Sequence, residues 1–288
     1  MTPTAVDPPR AAAREAVARA LAEDVLPLGD LTASLVEESR RAETAIVARA
    51  RGVVAGRLCA LEAFAQVDRD VEVDWRAADG SVVEPGSVVA QVRGPLRSIL
   101  TAERTALNFV CHLSGVATAT RQVVEAVAKA NPSARVLDTR KTLPGLRALQ
   151  KAAVRAGGGH NHRGSLSDGV LVKDNHLGAL SIAEAVARAR DRFPMRMIEV
   201  ECDRPEQAMD AAAAGAHVVM LDNMTPDEVA STVGMLRAAG TDVLVEVSGG
   251  LTEASAPRFA AAGADLLSLG TLTHSVRALD LGLDLGGR

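Results

Sequence analysis

Six short apolar runs recur along the second half of the chain: RVLDTRK, GVLVKDNH, MIEVECD, HVVMLDN, DVLVEVSGG and DLLSLGTLTH. Ala-rich stretches of helical composition separate most of them. Two of these stretches open on marked start signals, Ser181 with Glu184 and Thr225–Pro226 with Glu228. Each fits a capping box, in which side chains satisfy the first amide groups of a helix. Short apolar strands alternating with helices run parallel, because each crossover returns the chain to the same end of the sheet. Units repeating at roughly 20 to 35 residues favour a closed or nearly closed β/α barrel over a doubly wound sheet. The absence of an early GxGxxG points the same way.

Every run ends in polar residues: Arg140–Lys141, Lys173–Asp174–Asn175, Glu201, Asp222–Asn223, Ser248–Gly249–Gly250 and Gly270–Thr271. In a β/α barrel the carboxyl ends of all strands open on one face, where active sites form. Residues distant in sequence therefore converge on one ring. The segment TRKTLPGLRALQKAAVRAGGGHNHRG, residues 139–164, loads that ring with charge. From 140 to 176, seven cations (Arg140, Lys141, Arg147, Lys151, Arg155, Arg163, Lys173) face only Asp168 and Asp174, a local +5. The whole chain carries −4, so the rest carries −9. A local cationic site in an acidic background suits a small polyanion rather than nucleic acid.

The cations are not all of one kind. Arg147, Lys151 and Arg155 recur every four residues and read as the solvated face of a helix. Arg140, Lys141, Arg163 and Lys173 sit at strand ends or in a Gly-flanked loop and read as functional. In GGGHNHRG the glycines let backbone amides and side chains approach an anion closely. His162 reads as an anion donor and His160 as structural, because no third His or Cys has zinc-like spacing. Glu201 and Asp222 are either surface acids or carboxylates for Mg2+ and ribose hydroxyls. VSGG and LGTLTHS fall on the last two strands, where barrels often cradle a phosphate.

The first half reads differently. Residues 41–95 show alternating Val positions and D-G and P-G turns, which suggest short antiparallel strands. A helix precedes them at about 10–22. Another covers 98–130, interrupted near Ser114–Gly115, where a domain boundary is expected; the Pro-rich first nine residues read as a frayed tail. Aromatics are 2% with no Tyr, so Ala, Val and Leu must fill the core, as α/β packing permits. Three scattered cysteines offer no disulfide framework. With no signal peptide and no long apolar run, a soluble cytoplasmic protein is expected, without nucleic acid or membrane.

LDTRKTLPGLRALQKAAVRAGGGHNHRGSLSDGVLVKDNH, with IEVEC, VMLDNM, SGG and LGTLTHS, resembles the quinolinate phosphoribosyltransferase family. The likeness extends upstream through GPLRSILTAERTALNFVCHLSG and GDLTASL; Leu143 stands where a small polar residue is expected. The resemblance implies an N-terminal α/β sandwich over residues 1–115 and a C-terminal open α/β barrel over 116–275. The tail from about 276 to 288 would pack on the first domain. It implies a homodimer that joins quinolinate to phosphoribosyl pyrophosphate with Mg2+, giving nicotinate mononucleotide, pyrophosphate and CO2 for NAD biosynthesis. By the same resemblance Thr139, Arg140, His162, Arg163 and Lys173 would bind quinolinate, joined by Arg104 across the dimer interface. Lys141, Glu201 and Asp222 would be catalytic and serve phosphoribosyl pyrophosphate, the two carboxylates meeting its metal directly or through water. Ser248, Gly249, Gly250, Gly270, Thr271, Leu272 and His274 would hold its phosphoribosyl end. Three other readings stand beside this one: a Schiff-base aldolase using Lys173, a polyanion- or RNA-binding module, and a phosphoribosyltransferase for another pyridine or pyrimidine.

Overall fold

The computed structural model describes residues 6–178 and 180–285. The chain opens with α1 (Arg10–Val25), β1 (Arg41–Ala48), β2 (Gly52–Val53), α2 (Arg57–Val67), β3 (Glu72–Trp75), β4 (Val82–Val83), β5 (Val88–Pro95) and α3 (Leu96–Ala130). There follow β6 (Arg135–Leu137), α4 (Arg147–Ala156), β7 (Val170–Val172), α5 (Asp174–Leu177), α6 (Ile182–Arg192) and β8 (Ile198–Cys202). The last elements are α7 (Pro205–Ala213), β9 (Val218–Asp222), α8 (Pro226–Ala238), β10 (Leu244–Ser248), α9 (Ala256–Ala261), β11 (Leu266–Ser268), α10 (Thr271–His274) and β12 (Leu281–Leu285). Two compact units result. One comprises Met1–Arg121, Thr142–Gly158 and Leu272–Arg288, the other Gln122–Lys141 and Gly159–Thr271.

The first unit holds an antiparallel sheet in the order β12-β1-β5-β3. In β1 the positions Thr44, Ile46 and Ala48 are buried and alternate with more exposed neighbours, the period-two pattern of a sheet with one face on a core. The late segment 281–285 pairs with β1, Thr44 opposite Leu285. α1 buries Ala13, Ala16, Val17 and Leu21, a helical stripe of mostly small side chains, and packs on α2.

Three local expectations need correction here. α3 runs unbroken through Ser114–Gly115, so the expected interruption of the helix is absent. Gly115 is there for close approach: a Cβ on it would lie 2.2 Å from the Arg277 carbonyl oxygen. The Ser114 hydroxyl accepts from the Ala55 amide at 3.0 Å, a second tie across this unit. The Pro-rich start is tied down from Asp7 onward, while residues 1–5 lie outside the described residues. Asp7 is buried and takes the Arg57 guanidinium at 3.2 Å. Nor is the basic stripe of α4 a solvated face. Lys151 is buried, and Arg155 donates to the Asp7 carbonyl at 3.0 Å. Between them in this packing, fully buried Gln150 donates to the Thr273 carbonyl at 2.7 Å and accepts the Leu143 amide at 2.9 Å. Regular spacing of charges fixes a helix face; it does not decide whether that face meets water.

The second unit is a six-stranded parallel sheet ordered β6-β11-β10-β9-β8-β7. β6 and β7 are its two edges, and His160 extends the β6 side through a parallel bridge to Leu137. Among the described residues the ring is thus an open α/β barrel. Its strands are largely buried Val, Leu and Ile, as a sheet covered on both faces requires. Ser181 and Thr225 cap α6 and α8 as the sequence indicated, each hydroxyl accepting an amide at 3.3 Å.

Candidate active site

Because strand side chains alternate, a residue two positions before a strand-end residue lies on the same face, one layer deeper. The barrel follows this rule. Its rim carries Arg140, Lys173, Glu201, Asp222 and Ser248; one layer down come Asp138, Leu171, Glu199, Met220 and Glu246, with Ser268 on the last strand. A cavity of about 430 Å³ opens on this face. Thr139, Arg140, Lys141, His162, Arg163, Lys173, Glu201, Asp222, Ser248 and Gly249 all border it. Gly250, Gly270, Thr271, Leu272 and His274 are not on that wall, and Leu272 is buried. Leu272 and His274 belong to the first unit, as does Arg104, whose side chain is exposed on α3.

The backbone shapes one side. Gly249 and Gly250 both take positive φ, 91° and 63°, a conformation that gives successive amides a concave arrangement suited to an anion. A Cβ on Gly249 would lie 2.4 Å from Asn223 Oδ1 and 2.9 Å from its amide nitrogen. Asn223 itself stands at φ 55°, and its amide donates to the Ser248 carbonyl at 3.2 Å. The ends of β9 and β10 are thus pressed together, and only glycine fits at 249.

The loop that follows α4 is fixed from beneath. Asp138 is fully buried; its carboxylate accepts the His162 amide at 2.9 Å and the Asn161 side chain at 2.6 Å. His160 acts through its backbone, its amide donating to the Val136 carbonyl at 2.8 Å, while its side chain is exposed. That agrees with a structural role.

Charge is crowded on the rim. Burial and the neighbouring positive charge of Arg140 push the Arg163 guanidinium below its ordinary value, with Glu199 and Glu201 opposing. Lys173 is held by Glu201 in an ion pair. The Schiff-base alternative asks for a neutral amine at Lys173; this ammonium is already committed to a carboxylate.

Below the rim lies a group that the strand-end reading missed. His162 Nε2 sits 3.0 Å from Glu199 and 3.6 Å from Glu246, and Ser268 donates to Glu246 at 2.6 Å. Glu199 and Glu246 are buried, and among the described residues Glu199 Oε1 has no hydrogen-bond partner. Ligand atoms of the three residues lie within 4.8 Å of one another. Burial first, then the charge of Glu199, push Glu246 up to about 8. A signal did exist: IEVEC and VEVSG each place a Glu inside an apolar strand, two before a rim residue.

Among the described residues no helix is long and apolar enough to cross a membrane. A family model for the quinolinate phosphoribosyl transferase N-terminal domain matches residues 30–114, and one for the C-terminal domain matches 116–284. The chain is 42% identical over 259 residues to a probable nicotinate-nucleotide pyrophosphorylase [carboxylating] of Bacillus subtilis, spanning 89% of this chain and 88% of that protein. It is 43% identical to the Mycobacterium leprae nicotinate-nucleotide pyrophosphorylase [carboxylating], across 95% of this chain and 97% of the relative. The solved nicotinate-nucleotide pyrophosphorylase of Francisella tularensis superposes with a TM-score of 0.91 at 37% identity, covering 99% of this chain and 100% of its own.

Proposed function

The chain belongs to the quinolinate phosphoribosyl transferase family, and from that premise we propose that its strand-end ring is where the family's reaction takes place. Phosphoribosyl passes from phosphoribosyl pyrophosphate to the ring nitrogen of quinolinate, and CO2 is lost to give nicotinate mononucleotide. The observation that carries the assignment is a cavity of about 430 Å³ bordered at once by Arg140, Lys141, Arg163 and Lys173. Four cations on one wall suit an anion, and a dianion with two adjacent carboxylates matches two guanidinium forks.

The roles divide by position. Thr139, Arg140, His162, Arg163 and Lys173 hold quinolinate; Lys141 and the Ser248–Gly249–Gly250 turn hold the phosphates of the second substrate. Gly270, Thr271, Leu272 and His274 contribute beyond the cavity wall. As the ribose–pyrophosphate bond breaks, positive charge grows on the ribose, and Glu201 and Asp222 stabilise it. Those carboxylates are also the hard oxygen donors that suit Mg2+: they end adjacent strands, and Asp222 is half-buried beside the cavity. When bound, Mg2+ neutralises charge on the leaving pyrophosphate. No nucleophilic side chain is required.

We assign the functional form as a cytoplasmic homodimer in which Arg104 completes the partner's site. All three cysteines are free thiols, in keeping with a reducing compartment. The deciding assay supplies quinolinate and phosphoribosyl pyrophosphate and measures CO2 and pyrophosphate together, with and without Mg2+. Equal release of both is expected, nicotinate being a poor substitute. Comparable turnover of nicotinate rejects the two-carboxylate assignment. For Arg104, inactive Arg104→Ala and Lys141→Ala chains are mixed and allowed to exchange. Half the dimers become mixed, so about a quarter of all sites recover if Arg104 acts in trans; no recovery after proven exchange rejects that role.

A further inference from the structure

Loss of CO2 from the pyridine ring leaves an electron pair on carbon, and a proton has to replace the departing group. The cavity offers few sources. Arg140 and Arg163 carry guanidinium groups, which do not give up protons. Lys173 is bound to Glu201, and Lys141, on the same wall, is assigned above to the phosphates of the second substrate. Thr139, Ser248 and Ser268 are hydroxyls, far too weak as acids. What remains is the group under the rim, where His162 and Glu246 both border the cavity.

We propose that Glu246, held by Ser268 beneath His162 and Glu199, is the proton reserve for the decarboxylated ring carbon and acts through His162. The inference rests on the reaction proposed above. Two carboxylates whose oxygens lie within 4.8 Å of one imidazole, both buried, cannot both keep a full negative charge without a proton or a cation between them. Burial favours the proton on Glu246. Glu246 accepts from Ser268 at 2.6 Å, and His162 Nε2 lies 3.6 Å from it and 3.0 Å from Glu199. The charged groups facing this cluster are His162 from the loop before β7, Glu199 from β8, and the rim groups Arg140, Arg163, Lys173 and Glu201 above it. Asp138, under the same loop, is occupied by the His162 amide and Asn161.

The step balances simply. The bond between the ring carbon and the carboxylate carbon breaks, CO2 leaves, and the electron pair stays on the ring carbon beside the quaternised nitrogen. His162 gives a proton to that carbon and a C–H bond forms. Glu246 replaces the proton on His162, so the cluster ends with one more negative charge. Water restores that proton once the products have gone. Glu246 is thus a positioning and supply residue, and His162 is the group that meets the substrate.

The test uses the full-length enzyme with three variants. Glu246→Gln keeps the size and the Ser268 contact but carries no acidic proton. Quinolinate affinity by calorimetry should stay within about threefold, while kcat falls about a hundredfold, within the range for general acids. In a single turnover, pyrophosphate should appear well before nicotinate mononucleotide. The wild-type kcat should fall as pH rises through about 8, where Glu246 loses its proton. That break should vanish in Glu246→Gln. Ser268→Ala removes a bond that favours the ionised form, so its break should move to higher pH. Glu246→Asp, a shorter acid, should restore part of the rate where Gln does not. Unchanged kcat and an unchanged break in Glu246→Gln overturn the proposal. So does loss of quinolinate binding in that variant, which makes Glu246 structural. A stoichiometric metal in the purified protein that disappears with Glu246→Gln overturns it as well. If wild-type enzyme makes no nicotinate mononucleotide at all, the parent assignment has failed, an outcome none of the variant results can mimic.

Discussion

The rim and the floor of the barrel are built from the same strands, two residues apart, yet they obey opposite rules. The rim is cationic and partly open, and its carboxylates stand beside cations. Glu201 holds Lys173, and burial with the charge of Arg140 pushes the Arg163 guanidinium below its ordinary value. The floor is buried and acidic, with Glu199 and Glu246 sharing one imidazole and Ser268 donating to Glu246. The rim charges border an open cavity that a ligand of opposite sign can enter. A charge on the floor has no ligand to wait for, so it must be balanced within the protein. Binding therefore belongs to the rim, and proton storage to the floor.

The sharpest way to break this division is to remove a rim guanidinium. Arg163→Ala should cost about 2 to 5 kcal/mol in quinolinate binding, the usual loss for one member of a buried charge-assisted pair. Calorimetry should show that loss with quinolinate and little change with phosphoribosyl pyrophosphate. A variant that binds quinolinate normally would move the carboxylate site off this rim. Next in size comes Asp222→Ala. It should lower kcat/KM for phosphoribosyl pyrophosphate about a hundredfold, within the several kcal/mol that a bound cation supplies. Quinolinate affinity should hold; if it collapses instead, Asp222 belongs to the wrong substrate.

The same contrast explains what the sequence could disclose. Arg140, Lys173, Glu201 and Asp222 were legible because each breaks an apolar run at its end, where barrel topology gathers residues. Glu199 and Glu246 break their runs in the middle, and inside a strand a lone acid is easily passed over as an edge residue. Period two would have found them, since each lies two positions before a rim residue. Other features lay beyond any local pattern. The burial of Lys151 on α4 and the tie between Asp7 and Arg57 depend on partners far away in sequence. Ser114–Gly115 looked like a break because glycine is a poor helix former; its close approach to Arg277 is a tertiary fact.

A smaller effect tests the backbone between the two layers. Gly249→Ala puts a methyl group against Asn223 and forces an alanine to φ 91°. The strain should destabilise the protein by about 1 to 3 kcal/mol. Denaturant melts should report that loss, and the KM for phosphoribosyl pyrophosphate should rise while that for quinolinate does not. A stable variant with an unaltered KM would separate the glycine turn from phosphate binding.

A last effect probes the floor alone, without catalysis. Glu246 is raised from an ordinary 4.5 to about 8 in the folded protein. Below 4.5 both folded and unfolded chains keep the proton, and the group is neutral in its effect on stability. Between 4.5 and 8 the unfolded chain has released its proton and the folded one has not. The folded state then binds more protons, so stability must fall as pH rises through this window and level off above it. Asp79 titrates in the same sense, pushed up to about 6 mainly by burial, so a wild-type melt alone would mix the two groups. The difference between wild type and Glu246→Gln removes Asp79, which both chains share. The melting temperature of the Gln variant relative to wild type should therefore climb from pH 5 to 8 and then hold, on the order of 2 to 4 °C for each kcal/mol. A flat difference across that range would mean that Glu246 is ionised beside Glu199. The floor would then hold no proton to give, whatever the kinetics of the rim.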